Sequence, residues 1–174
     1  MAKFTWTSES VVELNADSSV HPIHGEIRNL RGEANVDVVD GKLAPGPGAS
    51  AWIEADVDQL GTGKKLEDMA LRKQIDAKKY PNVRYELRSV EGGPDSFKVA
   101  GAFTFHGVSQ DFVEEVQASL NGGRLQVEAE HTFDIRDFGV QPFKVPVINL
   151  QIKPEVKLVV RLVGTESAGG GGWG

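Results

Sequence analysis

Arg124-Leu125-Gln126-Val127-Glu128-Ala129-Glu130-His131-Thr132-Phe133-Asp134-Ile135 changes side with every residue. Leu125, Val127, Ala129, His131, Phe133 and Ile135 share one parity, while Arg124, Gln126, Glu128, Glu130, Thr132 and Asp134 share the other. A period of two is that of a β-strand, whose successive side chains point to opposite faces. This is the longest unambiguous strand in the sequence, and its inward face carries a histidine.

The same period recurs through the chain. Ala51, Ile53, Ala55 and Val57 share a face opposed by Glu54 and Asp56, with Trp52 as the exception. Val83, Tyr85 and Leu87 alternate with Arg84, Glu86 and Arg88; Phe97, Val99, Gly101, Phe103 and Phe105 oppose Lys98, Thr104 and His106. Residues 11–14, 23–28 and 33–39 are weaker strands. Ile148, Leu150, Ile152, Val156, Leu158, Val160 and Leu162 keep one parity across Pro154, which lacks a ladder donor and marks an edge, a bulge or a break. Glu91-Gly92-Gly93-Pro94-Asp95 and Asn121-Gly122-Gly123 are hairpin turns, so their flanking strands are antiparallel. Ala44-Pro45-Gly46-Pro47-Gly48 is a further break. Only residues 63–75 read as helix, with Leu66, Met69, Ala70 and Lys73 spaced i, i+3, i+4, i+7 ahead of Tyr80-Pro81. One helix among many strands predicts an all-β, mainly antiparallel fold and argues against βαβ units. Alternation leaves barrel and sandwich open. Small residues on apolar faces, Ala51, Ala55, Gly101 and Ala129, leave either a cavity or space that neighbours fill.

At 174 residues, 40% of them hydrophobic and 25% charged, the chain suits one domain with one core. A net charge of -6 sets up no field that would draw a phosphate backbone, so no nucleic acid partner is expected. The chain has no cysteine, which removes disulfide and thiol chemistry. No run approaches the roughly 20 apolar residues of a membrane span. Met1-Ala2-Lys3-Phe4-Thr5-Trp6 enters polar sequence without an apolar leader core, which predicts a cytoplasmic location. Residues 1–163 form the expected domain, and the glycine-rich residues 164–174, with Trp173, a flexible tail.

No nucleophile beside a base, no glycine-rich phosphate loop and no apolar carboxylate pair is legible, so a non-enzymatic protein is expected. His21 and His24 fall on opposite faces of a strand, a poor metal pair, and neither metal nor cofactor is expected. His131 is either a satisfied core histidine or a contact for a polar head group. Arg136 and Asp137 form either a local ion pair or a contact at a barrel mouth. Lys64, Lys65, Arg72 and Lys73 read as a solvated helix face, with an anionic pyrophosphate as the sharper option.

Leu71-Arg72-Lys73, followed by Ile75-Asp76-Ala77-Lys78-Lys79-Tyr80-Pro81-Asn82-Val83-Arg84-Tyr85, resembles the helix, Tyr-Pro and following strand of the YceI-like family of bacterial, lipocalin-like, polyisoprenoid-binding proteins. Val99-Ala100-Gly101-Ala102-Phe103-Thr104-Phe105-His106-Gly107-Val108, Arg136-Asp137-Phe138-Gly139-Val140 and Pro154-Glu155-Val156-Lys157-Leu158 resemble later family motifs in the same order. In the N-terminal third only Gly25 and Gly32 match the family's spacing. The resemblance implies an extended lipocalin-like eight-stranded β-barrel with a short helical insertion. It also implies an isoprenoid or other amphiphilic small molecule in the interior, and a homodimer, which an exposed strand edge would suit. On that footing the interior binding surface is Ile53, Val83, Tyr85, Leu87, Val99, Phe103, Phe105, Val127 and Phe133. Leu66 and Met69 stand at one mouth, and His131 and Arg136 are the polar candidates. The alternative is a barrel filled by its own side chains, acting as a structural or protein-interaction module.

Overall fold

The computed structural model describes residues 1–141, 144–145 and 149–167. Its strands are β1 (Ala2–Trp6), β2 (Val11–Ser18), β3 (Ile23–Ile27), β4 (Arg31–Val36), the short pair β5 (Val38–Val39) and β6 (Lys42–Leu43), β7 (Ser50–Asp56), β8 (Asn82–Gly92), β9 (Ser96–Phe105), β10 (Val108–Asn121), β11 (Arg124–Asp134), β12 (Lys144–Val145) and β13 (Leu150–Glu166). One helix, α1 (Lys65–Gln74), lies between β7 and β8. Hydrogen bonding runs β1-β4-β7-β8-β9-β10-β11-β13, and β13 returns to β1, which closes an antiparallel barrel of eight strands. Barrel rather than sandwich is therefore the outcome. Outside the ring, β2 and β3 continue from β13, and β3 ends that path with β2 as its one strand partner among the described residues.

The seam explains the irregular N-terminal third. β13 keeps β11 along one side from Glu155 to Thr165, while its other side is shared by β2 and β1 in turn. Between β1 and β2 the chain turns out of the ladder, and Ser10, fully buried, takes over for the missing backbone groups. Its hydroxyl donates to the Val163 carbonyl at 3.2 Å and accepts from the Val163 N–H at 2.9 Å. β3 and β4 repeat the break one strand further out, pairing with β2 and β1 respectively.

Two expectations need correction, the rank of β11 as the longest strand and the start of the tail, and one open choice, at Pro154, resolves to a bulge. The stretch 108–121 is a 14-residue strand, longer than the 11-residue β11. Phe112 and Val113 are adjacent apolar residues and Glu114 faces inward, which hides the alternation. Residues 150–166 form one continuous strand of 17 residues, and Pro154 sits within a bulge that shifts the β2 register between Ile152 and Val156. Gly164, Thr165 and Glu166 belong to that strand, so the tail does not begin at 164. Gly164 is opposite Trp6, and a Cβ there would lie 3.1 Å from Phe4 and 3.2 Å from the Trp6 indole. Ile148 and Trp173 lie outside the described residues.

One end of the barrel carries α1 and the 3₁₀ turn Ile135–Phe138; the other carries the β8–β9 and β10–β11 turns and the loop before β7. Among the described residues no helix is long and apolar enough to cross a membrane.

Candidate ligand cavity

Inside the barrel lies a cavity of about 320 Å³. Every strand of the ring contributes side chains to it. It reaches from Leu71 and Ile75 at the helix end to Leu43, Pro45 and Ala49 at the opposite end. Ile53, Val83, Tyr85, Leu87, Val99, Phe103, Phe105, Val127 and Phe133 all line it. Ile53, Val83, Tyr85, Leu87 and Val127 point inward yet stay only half-buried, because the void leaves their inner surfaces uncovered.

The helix turns a different face from the expected one. Leu66 and Met69 are exposed, at 51% and 57%. Glu67, Leu71 and Ile75 are buried, and Leu71 and Ile75 border the cavity. Apolar spacing favoured Leu66 and Met69, but it could not register that Glu67 meets the His21 Nε2 at 3.0 Å and accepts from the Thr62 hydroxyl at 3.3 Å. With these partners a carboxylate becomes tolerable on the buried face. Arg72 belongs to the same anchor, donating to the Leu60 carbonyl at 3.1 Å, so it is not part of a solvated face.

The helix end is floored by aromatics. Phe138 is completely buried, with ring centroids 5.4 Å from Phe103, 5.4 Å from Phe133 and 5.7 Å from Phe105. His106 holds the turn that delivers it, its Nδ1 lying 3.1 Å from the Phe138 carbonyl. Arg136 stands outside on the rim. It is exposed and binds Asp134, and this hydrogen bonding holds the Asp134 carboxyl below its usual range. Arg136 therefore lines no part of the cavity, and its partner is Asp134 rather than Asp137.

His131 does face the interior, in contact with Glu114 through Nδ1, its ring centroid 3.9 Å from that of Phe112 and tilted by 41° to it. Its Nε2 is covered and has no hydrogen-bond partner among the described residues. The sequence reading missed Glu114. The β10–β11 register pairs Gln117 with Glu128, and three further steps bring Glu114 opposite His131. Tyr85 shares this wall. Burial first, and the Glu114 charge second, push its hydroxyl up to about 12.

Folding therefore holds the Tyr85 proton more tightly than the unfolded chain does. That stability is complete below pH 10 and is lost as pH rises toward 12, a fall of roughly 1–2 kcal/mol once the half-exposed ring is discounted for solvent screening. Chemical denaturation at stepped alkaline pH should show this fall in the native chain and its loss in Tyr85→Phe; equal slopes would refute it.

His21 and His24 go separate ways, His21 to Glu67 and His24 to a cluster with Glu13 and Glu26 whose ligand atoms lie within 4.8 Å of one another. Both carboxylates there already pair with arginines, Glu13 with Arg161 at 2.9 Å and Glu26 with Arg28 at 3.3 Å.

A closed antiparallel barrel, capped by one helix and apolar within, is a lipocalin-like fold. The chain belongs to the YceI-like family, whose domain matches residues 6–164. Among solved structures it is similar to Burkholderia cenocepacia BcnA, at 19% identity and a TM-score of 0.72, over 88% of this chain and 96% of that one. It is also similar to a polyisoprenoid binding domain from Saccharophagus degradans implicated in plant cell wall breakdown, at 14% identity and a TM-score of 0.74, over 96% and 99% of the two chains. A Campylobacter jejuni YCEI protein matches at 16% identity and a TM-score of 0.62, over 82% and 84%. No curated protein matches the chain by sequence.

Proposed function

We propose that this barrel binds one lipid-like molecule, an isoprenoid or similar amphiphile, and carries or stores it without chemical change. The apolar cavity enclosed by all eight strands is the observation that supports this reading. Pockets that take small ligands run from about 300 to 1,000 Å³, and this void falls at the lower end of that range. Each methylene transferred into it contributes about 0.8 kcal/mol, so affinity grows with chain length until the barrel is full. The likeness of the fold to a polyisoprenoid binding domain points the same way. Entry is at the end bordered by Leu43, Pro45 and Ala49, which are half-buried where the helix end is sealed.

Native mass spectrometry of gently purified protein should find a co-purifying lipid, and a fluorescent isoprenoid should bind at one site per chain. Ala129→Phe, which fills a small position on the cavity wall, should weaken that binding by about tenfold or more while leaving the circular dichroism spectrum in place. Absence of lipid together with absence of probe binding would end the carrier reading.

A further inference from the structure

A carrier of plain hydrocarbon has no use for a carboxylate in its wall, yet β10 turns Phe112, Glu114, Val116 and Ala118 toward the cavity. Placing a charge among such neighbours costs free energy unless something answers it. His131 answers one oxygen, Oε1. The other has no hydrogen-bond partner among the described residues, and the side chain keeps 32% of its surface uncovered while lining the void.

Tyr85 supplies the opposite capability. It comes from β8, and its ring crosses β9 over Gly101, where even a Cβ would lie 2.4 Å from the hydroxyl oxygen. Gly101 is thus the notch that lets the ring lie flat and carry its hydroxyl toward β10. Burial keeps that hydroxyl protonated, so it is a donor. No described residue accepts from it. The wall there offers a donor, Tyr85, and an acceptor, Glu114, set among Phe103, Phe112 and Phe133.

Resting on the carrier reading, we propose that the cavity selects lipid alcohols, the ligand hydroxyl accepting from Tyr85 and donating to Glu114. A phosphate or diphosphate head fits poorly. It brings no proton for Glu114 at neutral pH and meets a like charge there. The arginine that borders the cavity, Arg84, offers no compensation, since its guanidinium turns outward to Glu54 at 3.2 Å and lies over the Trp52 ring at 4.6 Å.

Three probes on one carbon skeleton test this: farnesol, farnesyl diphosphate and the hydrocarbon farnesene, each competed against a fluorescent isoprenoid. Farnesol should bind roughly tenfold more tightly than the diphosphate, and more tightly than the hydrocarbon. Tyr85→Phe and Glu114→Gln should each weaken farnesol by about five- to tenfold relative to farnesene. Glu114→Gln should also narrow the gap to the diphosphate. Equal or tighter binding of the diphosphate, or an alcohol preference that survives both substitutions, overturns the proposal. Binding of all three probes alike overturns it while the carrier reading stands; binding of none overturns both.

Discussion

Gly32→Ala is expected to melt about 10 °C or more below the native chain, a loss of about 3–5 kcal/mol. Gly32 lies in β4 opposite Ile53 of β7 with φ at +136°, a region that residues with a side chain rarely enter. A Cβ there would sit 2.0 Å from the Trp52 carbonyl oxygen and 2.9 Å from its carbon, which are backbone atoms of the paired strand. The same carbonyl accepts from the Trp6 indole at 2.9 Å, and the indole is itself 3.0 Å from the added atom. One methyl group would thus separate β4 from β7 and lift Trp6 from the seam. Gly41→Ala is the control. Its φ of +74° carries backbone strain alone, nothing lies within 4 Å, and the cost should be about 1 kcal/mol. Equal melting temperatures for the two variants would refute the steric account.

Phe138→Ala should cost about 3–5 kcal/mol in denaturant unfolding. Phe138 is fully buried at the helix end, and four phenylalanine rings surround it, at 5.4 Å (Phe103 and Phe133), 5.7 Å (Phe105) and 6.3 Å (Phe112). Removing the ring leaves those edges and faces without partners, and a short 3₁₀ turn leading into left-handed Gly139 has little freedom to collapse inward. Phe112→Ala, at a half-buried position beside the void, should cost distinctly less. If the two losses match, the ring of Phe138 is not the floor that its burial implies.

Which parts of this molecule were legible in the sequence follows from what each strand faces. β9 and β11 have water on one side and apolar space on the other, so parity alone names their inward residues. β10 resisted the same reading because its inward row includes Glu114, and a carboxylate on an interior face is intelligible only once His131 is known to stand across from it. The helix failed for the same reason. Glu67 is buried by grace of His21, a residue of the turn between β2 and β3, so hydrophobic spacing selected Leu66 and Met69 on the wrong side. Ser10 is a third case, a hydroxyl inserted into a strand seam whose other half is far along the chain at Val163. Arg136 misled in the opposite sense, since its partner Asp134 is two residues away and the pair satisfies itself without reference to the cavity. Polar residues whose meaning depends on a distant strand are invisible to a local pattern, and Glu114, the one of these three that lines the cavity, is the case that matters for its chemistry.

The pairing of Phe4 with Glu166 bears on how fast this protein reaches its native state. Ring closure joins the two ends of the sequence, a contact that local structure cannot bring about and that pays its loop entropy before any reward. The meander from β8 to β11 pairs neighbours through short turns and can assemble early, whereas β1 must wait for the far end of β13. Folding is therefore expected on the millisecond-to-second scale of strand-rich, non-local topologies. Until that last pairing forms, the cavity wall stands open as an apolar trough, and any molecule captured during this interval would be locked in by the closing strand.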